Sequence, residues 1–114
     1  MKLTSTSFRH DDPIPGRCAF GVPDAVAHMK LGENRNPQLA WSGIPAGARS
    51  LVLICMDVDV PSSLEHFNKE GKVIDKDLPR VEFCHWVMVD IAPRDGAVSE
   101  GECSNGITPR GKKD

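Results

Sequence analysis

The chain has 114 residues, enough for one small domain and too few for two. Its 26% charged and 39% hydrophobic residues exclude wholesale disorder, and nine prolines and ten glycines favour a β-rich domain over a helical one. A net charge of −2, from 14 basic and 16 acidic residues, excludes nucleic-acid binding by bulk charge; the basic cluster Arg110, Lys112 and Lys113 reads as a solvated tail.

No apolar stretch is long enough to cross a bilayer. The N-terminus turns polar at once and lacks the apolar run of a signal peptide, so a cytoplasmic location is expected. Cys18, Cys55, Cys84 and Cys103 are scattered, without a C-x-x-C pair, which argues against a zinc knuckle or a thioredoxin-like motif. Free thiols are expected, with Cys55 and Cys84 acting as small buried hydrophobes inside strands. No cofactor is expected.

Residues 1–8 predict a first short strand, and residues 10–16 (HDDPIPG) a turn cluster. Residues 25–30 predict one helical turn, residues 32–37 a polar loop, and residues 38–42 a short strand before the tight connection at 43–47 (GIPAG). The clearest strand is residues 50–56 (SLVLICM), apolar on both faces as in a strand buried between two layers. It runs into Asp57-Val58-Asp59-Val60-Pro61, and a proline there ends the ladder. Residues 62–82 form a polar connection, long enough to suggest a functional or mobile role. The second clear strand is residues 83–91 (FCHWVMVDI). Strict alternation places Phe83, His85, Val87, Val89 and Ile91 on one face and Cys84, Trp86, Met88 and Asp90 on the other. No strand is predicted beyond residue 91.

If the two clear strands pair antiparallel, the end of the first lies beside the start of the second. Asp57 and Asp59 then meet His85 at one corner of a sheet. A carboxylate favours and orients an imidazolium, which can donate a hydrogen bond to an anion such as phosphate. Each residue also has a plainer reading. The acids are of a type that caps backbone N–H groups, and His85 and Trp86 suit a core. Asp57, Asp59, His66 and His85 are of metal-ligating type, but their spacing matches no established metal motif. No G-x-S-x-G nucleophile context and no glycine-rich phosphate loop is present.

Three segments in this order resemble the phosphatidylethanolamine-binding protein family in its bacterial Raf-kinase-inhibitor-like branch. Residues 36–47 (NPQLAWSGIPAG) are similar to its N/S-P-x-L-x-W-x-G-x-P-x-G segment. Residues 50–61 are similar to the strand leading into its D-P-D-x-P signature, and residues 85–89 (HWVMV) to the histidine that opens a hydrophobic strand. The opening LTSTSF and the later PIP also look like that branch.

The resemblance implies one domain over residues 1–114, its N-terminal and central portion. It implies a mainly β fold, a Greek-key antiparallel β-sandwich with short peripheral helices. It also implies a non-catalytic anion pocket for phosphate or a phosphatidylethanolamine head group, and control of a kinase or other enzyme by direct contact. By position the ligand-binding residues carried over are Asp57, Asp59, Pro61, His85 and Trp86.

Two departures stand out. Val58 replaces the first proline of the signature, which is expected to loosen the acidic loop. The family's later G-P-x-P-P and G-x-H-R-Y-like segments are missing, so the domain reads as truncated, with an exposed sheet edge that invites self-association. Two other functions compete with ligand binding: a hydrolase using an Asp/His pair, and a truncated remnant without a ligand.

Overall fold

The computed structural model describes residues 1–67 and 69–104; the predicted basic tail lies outside them. Segments of three to twelve residues, cut by proline, glycine and Asx turns, form seven strands among these residues. They are β1 (Lys2–Thr4), β2 (Gly21–Asp24), β3 (His28–Leu31), β4 (Leu39–Ser42), β5 (Leu51–Pro61), β6 (Arg80–Ile91) and β7 (Gly96–Val98). The described helical structure is a single 3-10 turn, Gly16–Cys18. The fold is mainly β, and every strand pairing is antiparallel.

The chain divides into two compact units. Among the described residues the first comprises Met1–Gly47 and residues 94–104. It holds a three-stranded sheet in the order β1-β4-β7 and the separate hairpin β2-β3. Two expectations fail here. The predicted helical turn at 25–30 is instead the reversal into β3. Asp24 Oδ1 accepts the N–H groups of Val26 and Ala27, each at 3.0 Å, and His28 at φ 62° completes the turn. An Asx turn of this kind offers the backbone partners that a six-residue helix does not.

The second failure concerns the strand missed after residue 91. β7 pairs with β4, Leu39 opposite Val98, and Val98 is 2% exposed. Three residues carry too little periodicity to announce a strand; the partner β4 decides it. Gly96 at its start lets the Trp41 indole pack closely, since a Cβ there would lie 3.0 Å from it. That indole is fixed by its N–H donating to the Arg94 carbonyl at 3.1 Å.

Side-chain hydrogen bonds close this unit. Asn36 Oδ1 accepts the Cys103 N–H at 2.9 Å and the Ser104 hydroxyl at 3.1 Å, while its Nδ2 donates to the Ser99 carbonyl at 3.0 Å. The Asn36 backbone N–H reaches Ser104 Oγ at 2.8 Å, and its carbonyl accepts the Gly101 N–H at 2.9 Å. Beside this clamp, Glu100 accepts from Arg17 Nε at 2.6 Å, Arg17 Nη2 at 3.1 Å and Ser7 Oγ at 2.6 Å. The Arg17 guanidinium first, and the Ser7 hydroxyl second, pull the Glu100 carboxyl from an ordinary 4.5 down to about 2. A carboxyl depressed on folding stabilises the fold above about pH 4.5, and that contribution fades as pH falls toward about 2. Thermal melts of Glu100→Gln are therefore expected to fall below wild type at neutral pH and to converge with it near pH 2. A gap that persists unchanged to pH 2 would reject this assignment.

The second unit, Ala48–Pro93, is built on the β5-β6 hairpin and its connection. The pairing of the two clear strands is as expected, but both run further: β5 continues through both acids to Pro61, and β6 begins at Arg80. Burial on both faces is not found. Val52 is 58% exposed, Ile54 56%, Val87 50% and Val89 56%, and no third strand flanks the pair among the described residues. Cys55 and Cys84 are likewise exposed rather than buried; Cys18, Cys55 and Cys84 are free thiols. An apolar run reports a capacity for burial, and the covering layer is a separate condition.

Candidate functional site

The register of the hairpin sets the site. Leu53 lies opposite Met88, Cys55 opposite Trp86 and Asp57 opposite Phe83. Alternate residues on a strand share a face, and opposed residues share it too. Leu53, Cys55, Asp57, Phe83, Trp86 and Met88 therefore lie on one face. Ile54 with Val87, and Met56 with Cys84, lie on the other. Between Cys55 and Met56 the register slips, with His85 as the extra residue on β6; it slips again near Asp90, at φ 56°. These bulges overturn the strict alternation read from the sequence. Trp86 shares a face with Phe83 and Asp57, and Val87 and Val89 do not. Bulges re-aim side chains in this way, and period-2 counting does not detect them.

His85 turns its Nε2 toward Asp57 Oδ2 at 3.5 Å and sets its ring edge-to-face against Phe83, with centroids 4.9 Å apart. At that length, and with the side chains 49% and 44% exposed, the pair is a weak contact, worth about 1 kcal/mol or less. The contact orients the ring, with Nε2 facing the carboxylate.

The other carboxylate oxygen does different work. Asp57 Oδ1 accepts the Asp59 N–H at 2.8 Å. This Asx turn restrains the stretch where the signature proline is replaced by Val58, so the expected loosening is countered by a side-chain bond. One oxygen thus accepts a backbone N–H, as the plainer reading of Asp57 has it, and the other faces His85.

Asp59 does not join His85. Its carboxylate is 82% exposed and faces Arg80 Nε at 3.8 Å. Pro61 ends β5 opposite Arg80, and the Ser62 N–H donates to the Pro79 carbonyl at 2.9 Å. The hairpin thus brings Asp57, His85 and Trp86 to one face, while Asp59 and Pro61 shape the end of the strand pair. Sequence reasoning missed Arg80, which extending β6 back to meet Pro61 would have found, and gave Phe83 a place on the face of His85 but no role. Among the described residues no cluster of His, Cys, Asp and Glu is arranged to hold a metal, and His66 lies apart, its Nδ1 3.1 Å from the Val73 carbonyl.

The sequence pattern of one family, the phosphatidylethanolamine-binding proteins, matches residues 4–113. The chain belongs to that family. Within the phosphatidylethanolamine-binding protein family it is similar to a UPF0098 protein of Methanothermobacter thermautotrophicus, 34% identical over 111 residues, 97% of this chain and 55% of that protein. It is also similar to the UPF0098 protein YbhB of Escherichia coli, 39% identical over 62 residues, 54% of this chain and 36% of that protein. A protein of Mycobacterium tuberculosis named as a lipoprotein is 31% identical over 88 residues, 77% of this chain and 34% of that protein. The chain spans about half the length of the first of these relatives. No solved structure matches it significantly. No helix among the described residues is long and apolar enough to cross a membrane.

Proposed function

We propose that the Asp57–His85 corner binds small phosphate-bearing ligands, including phosphatidylethanolamine-like head groups, without catalysis. The observation that carries this reading is the 3.5 Å approach of His85 Nε2 to Asp57 Oδ2, with both side chains about half exposed. A phosphate oxygen accepts from the other ring nitrogen, with Phe83 and Trp86 supplying apolar surface on the same face. Asp59 and Pro61 hold the loop. A one-sided corner this exposed binds weakly, with Kd on the order of 1 mM. Calorimetric titration with phosphorylethanolamine and with inorganic phosphate tests the reading; saturable heat with the first is expected, and no saturation with either up to tens of millimolar, about ten times that Kd, would reject it.

A hydrolase reading draws on the same pair, with Asp57 orienting His85 as general base. Turnover of p-nitrophenyl phosphate that vanishes in His85→Ala would replace the binding reading by the catalytic one. Control of a kinase or another enzyme by direct contact is an extension of the proposal, supported by family membership alone. A reducing, cytoplasmic setting belongs to it as well, supported by the free thiols Cys18, Cys55 and Cys84.

A further inference from the structure

Among the described residues the β5-β6 hairpin is a two-stranded sheet with two outer edges, and such a ribbon is marginal alone in water. The edges differ. β6 carries Arg80, Glu82 and Asp90 and two bulges, at His85 and near Asp90. Charges and bulges are the devices that keep an edge from pairing. From Leu51 to Met56, β5 carries neither charge nor proline, and the slips there insert their extra residues on β6; its own bulge lies beyond, between Asp57 and Val60. Its outer edge is regular and apolar. Val52, Ile54 and Met56, on one face, are 58%, 56% and 46% exposed.

Charge also marks an orientation. Arg49 lies two residues before β5 and is exposed; Asp57 and Asp59 lie at its far end. An antiparallel copy of the strand, centred on Ile54, sets Val52 against Met56 of the partner subunit. It also brings Arg49 toward Asp59 of the partner subunit. Both ends of the pairing gain an opposite-charge contact, and the face made by Val52, Ile54 and Met56 continues across the joint. An isologous twofold satisfies this with one surface used twice.

We propose that this chain self-associates as a twofold dimer through antiparallel pairing of β5 with β5 of a second copy, centred on Ile54, giving a four-stranded sheet in the order β6-β5-β5-β6. The proposal is independent of ligand binding at His85.

Sedimentation equilibrium of the 114-residue chain over a wide concentration range tests it. A species of twice 12.4 kDa is expected. Ile54→Lys sets two like charges directly opposite each other across the axis, so dimer dissociation is expected to rise roughly tenfold or more. The circular dichroism spectrum should be retained, because Ile54 is exposed within the monomer. Val89→Lys, on the same face but on β6, should leave the dimer intact. Arg49→Glu should weaken it, and the double variant Arg49→Glu with Asp59→Arg should restore it. A wild-type monomer at all concentrations overturns the proposal. So does an Ile54→Lys dimer as stable as wild type. Equal loss from Val89→Lys also overturns it, because it would mean that faces stack rather than edges pair.

Discussion

Replacing His85 with alanine is expected to weaken phosphorylethanolamine binding roughly tenfold to a hundredfold, the range set by losing one hydrogen bond to a charged group. Asp57→Asn should cost less, within about tenfold, because the pair is exposed and long and the amide oxygen can still accept the Asp59 N–H. Asp59→Asn should change affinity by less than about threefold, since its carboxylate faces Arg80 and contributes through the shape of the loop. This ranking, His85 above Asp57 above Asp59, separates the geometry described here from a pocket in which both acids face the imidazole. Calorimetry on the three variants reads it directly. Comparable losses from Asp57 and Asp59 would reject the placement of Asp59.

The second large effect concerns stability. Asn36→Ala removes the acceptor of the Cys103 N–H and the Ser104 hydroxyl and the donor to the Ser99 carbonyl. Several part-buried groups lose their partners at once, a cost of about 2–3 kcal/mol. In a chain of this size that lowers Tm by about 10 °C or more. The margin is thin, because Val98 and Cys103 are the buried hydrophobic residues of the described chain. Asn36→Asp keeps the acceptor and loses the donor, so it should fall between alanine and wild type. Urea denaturation followed by circular dichroism compares the three. An alanine variant as stable as wild type would show that residues 99–104 are held by other means.

These effects bear on what the sequence revealed. The segment 36–47 carried much of the family resemblance, and its asparagine and tryptophan prove architectural. Asn36 clamps residues 99–104, and Trp41 packs at Gly96 and donates to the Arg94 carbonyl. Both partners lie more than fifty residues away, so the motif was legible and its purpose was not. The two long strands were legible because each holds an apolar run rich in β-branched residues, joined in β6 by Phe83 and Trp86, and bounded by proline or polar breaks.

β7 was hidden for the opposite reason, since three residues form a strand only because β4 supplies the ladder. The corner of Asp57 and His85 followed from strand order alone. Its finer geometry did not. A one-residue bulge at His85 puts Trp86 on the site face, and the Asx bond of Asp57 steers Asp59 away. Bulges and side-chain turns shift a register by one residue, and that shift exceeds the resolution of period counting. The expected burial of Cys55 failed because hydrophobicity does not state what covers a strand.

The central claim is that one face of the β5-β6 hairpin carries a working anion corner. An amide NMR correlation spectrum of the 114-residue chain, titrated with phosphorylethanolamine, tests it most directly. The predicted result is a dispersed spectrum with saturable shifts concentrated at residues 57–61 and 83–86. A dispersed spectrum with no shifts there, or with shifts confined to residues outside the hairpin, would contradict it.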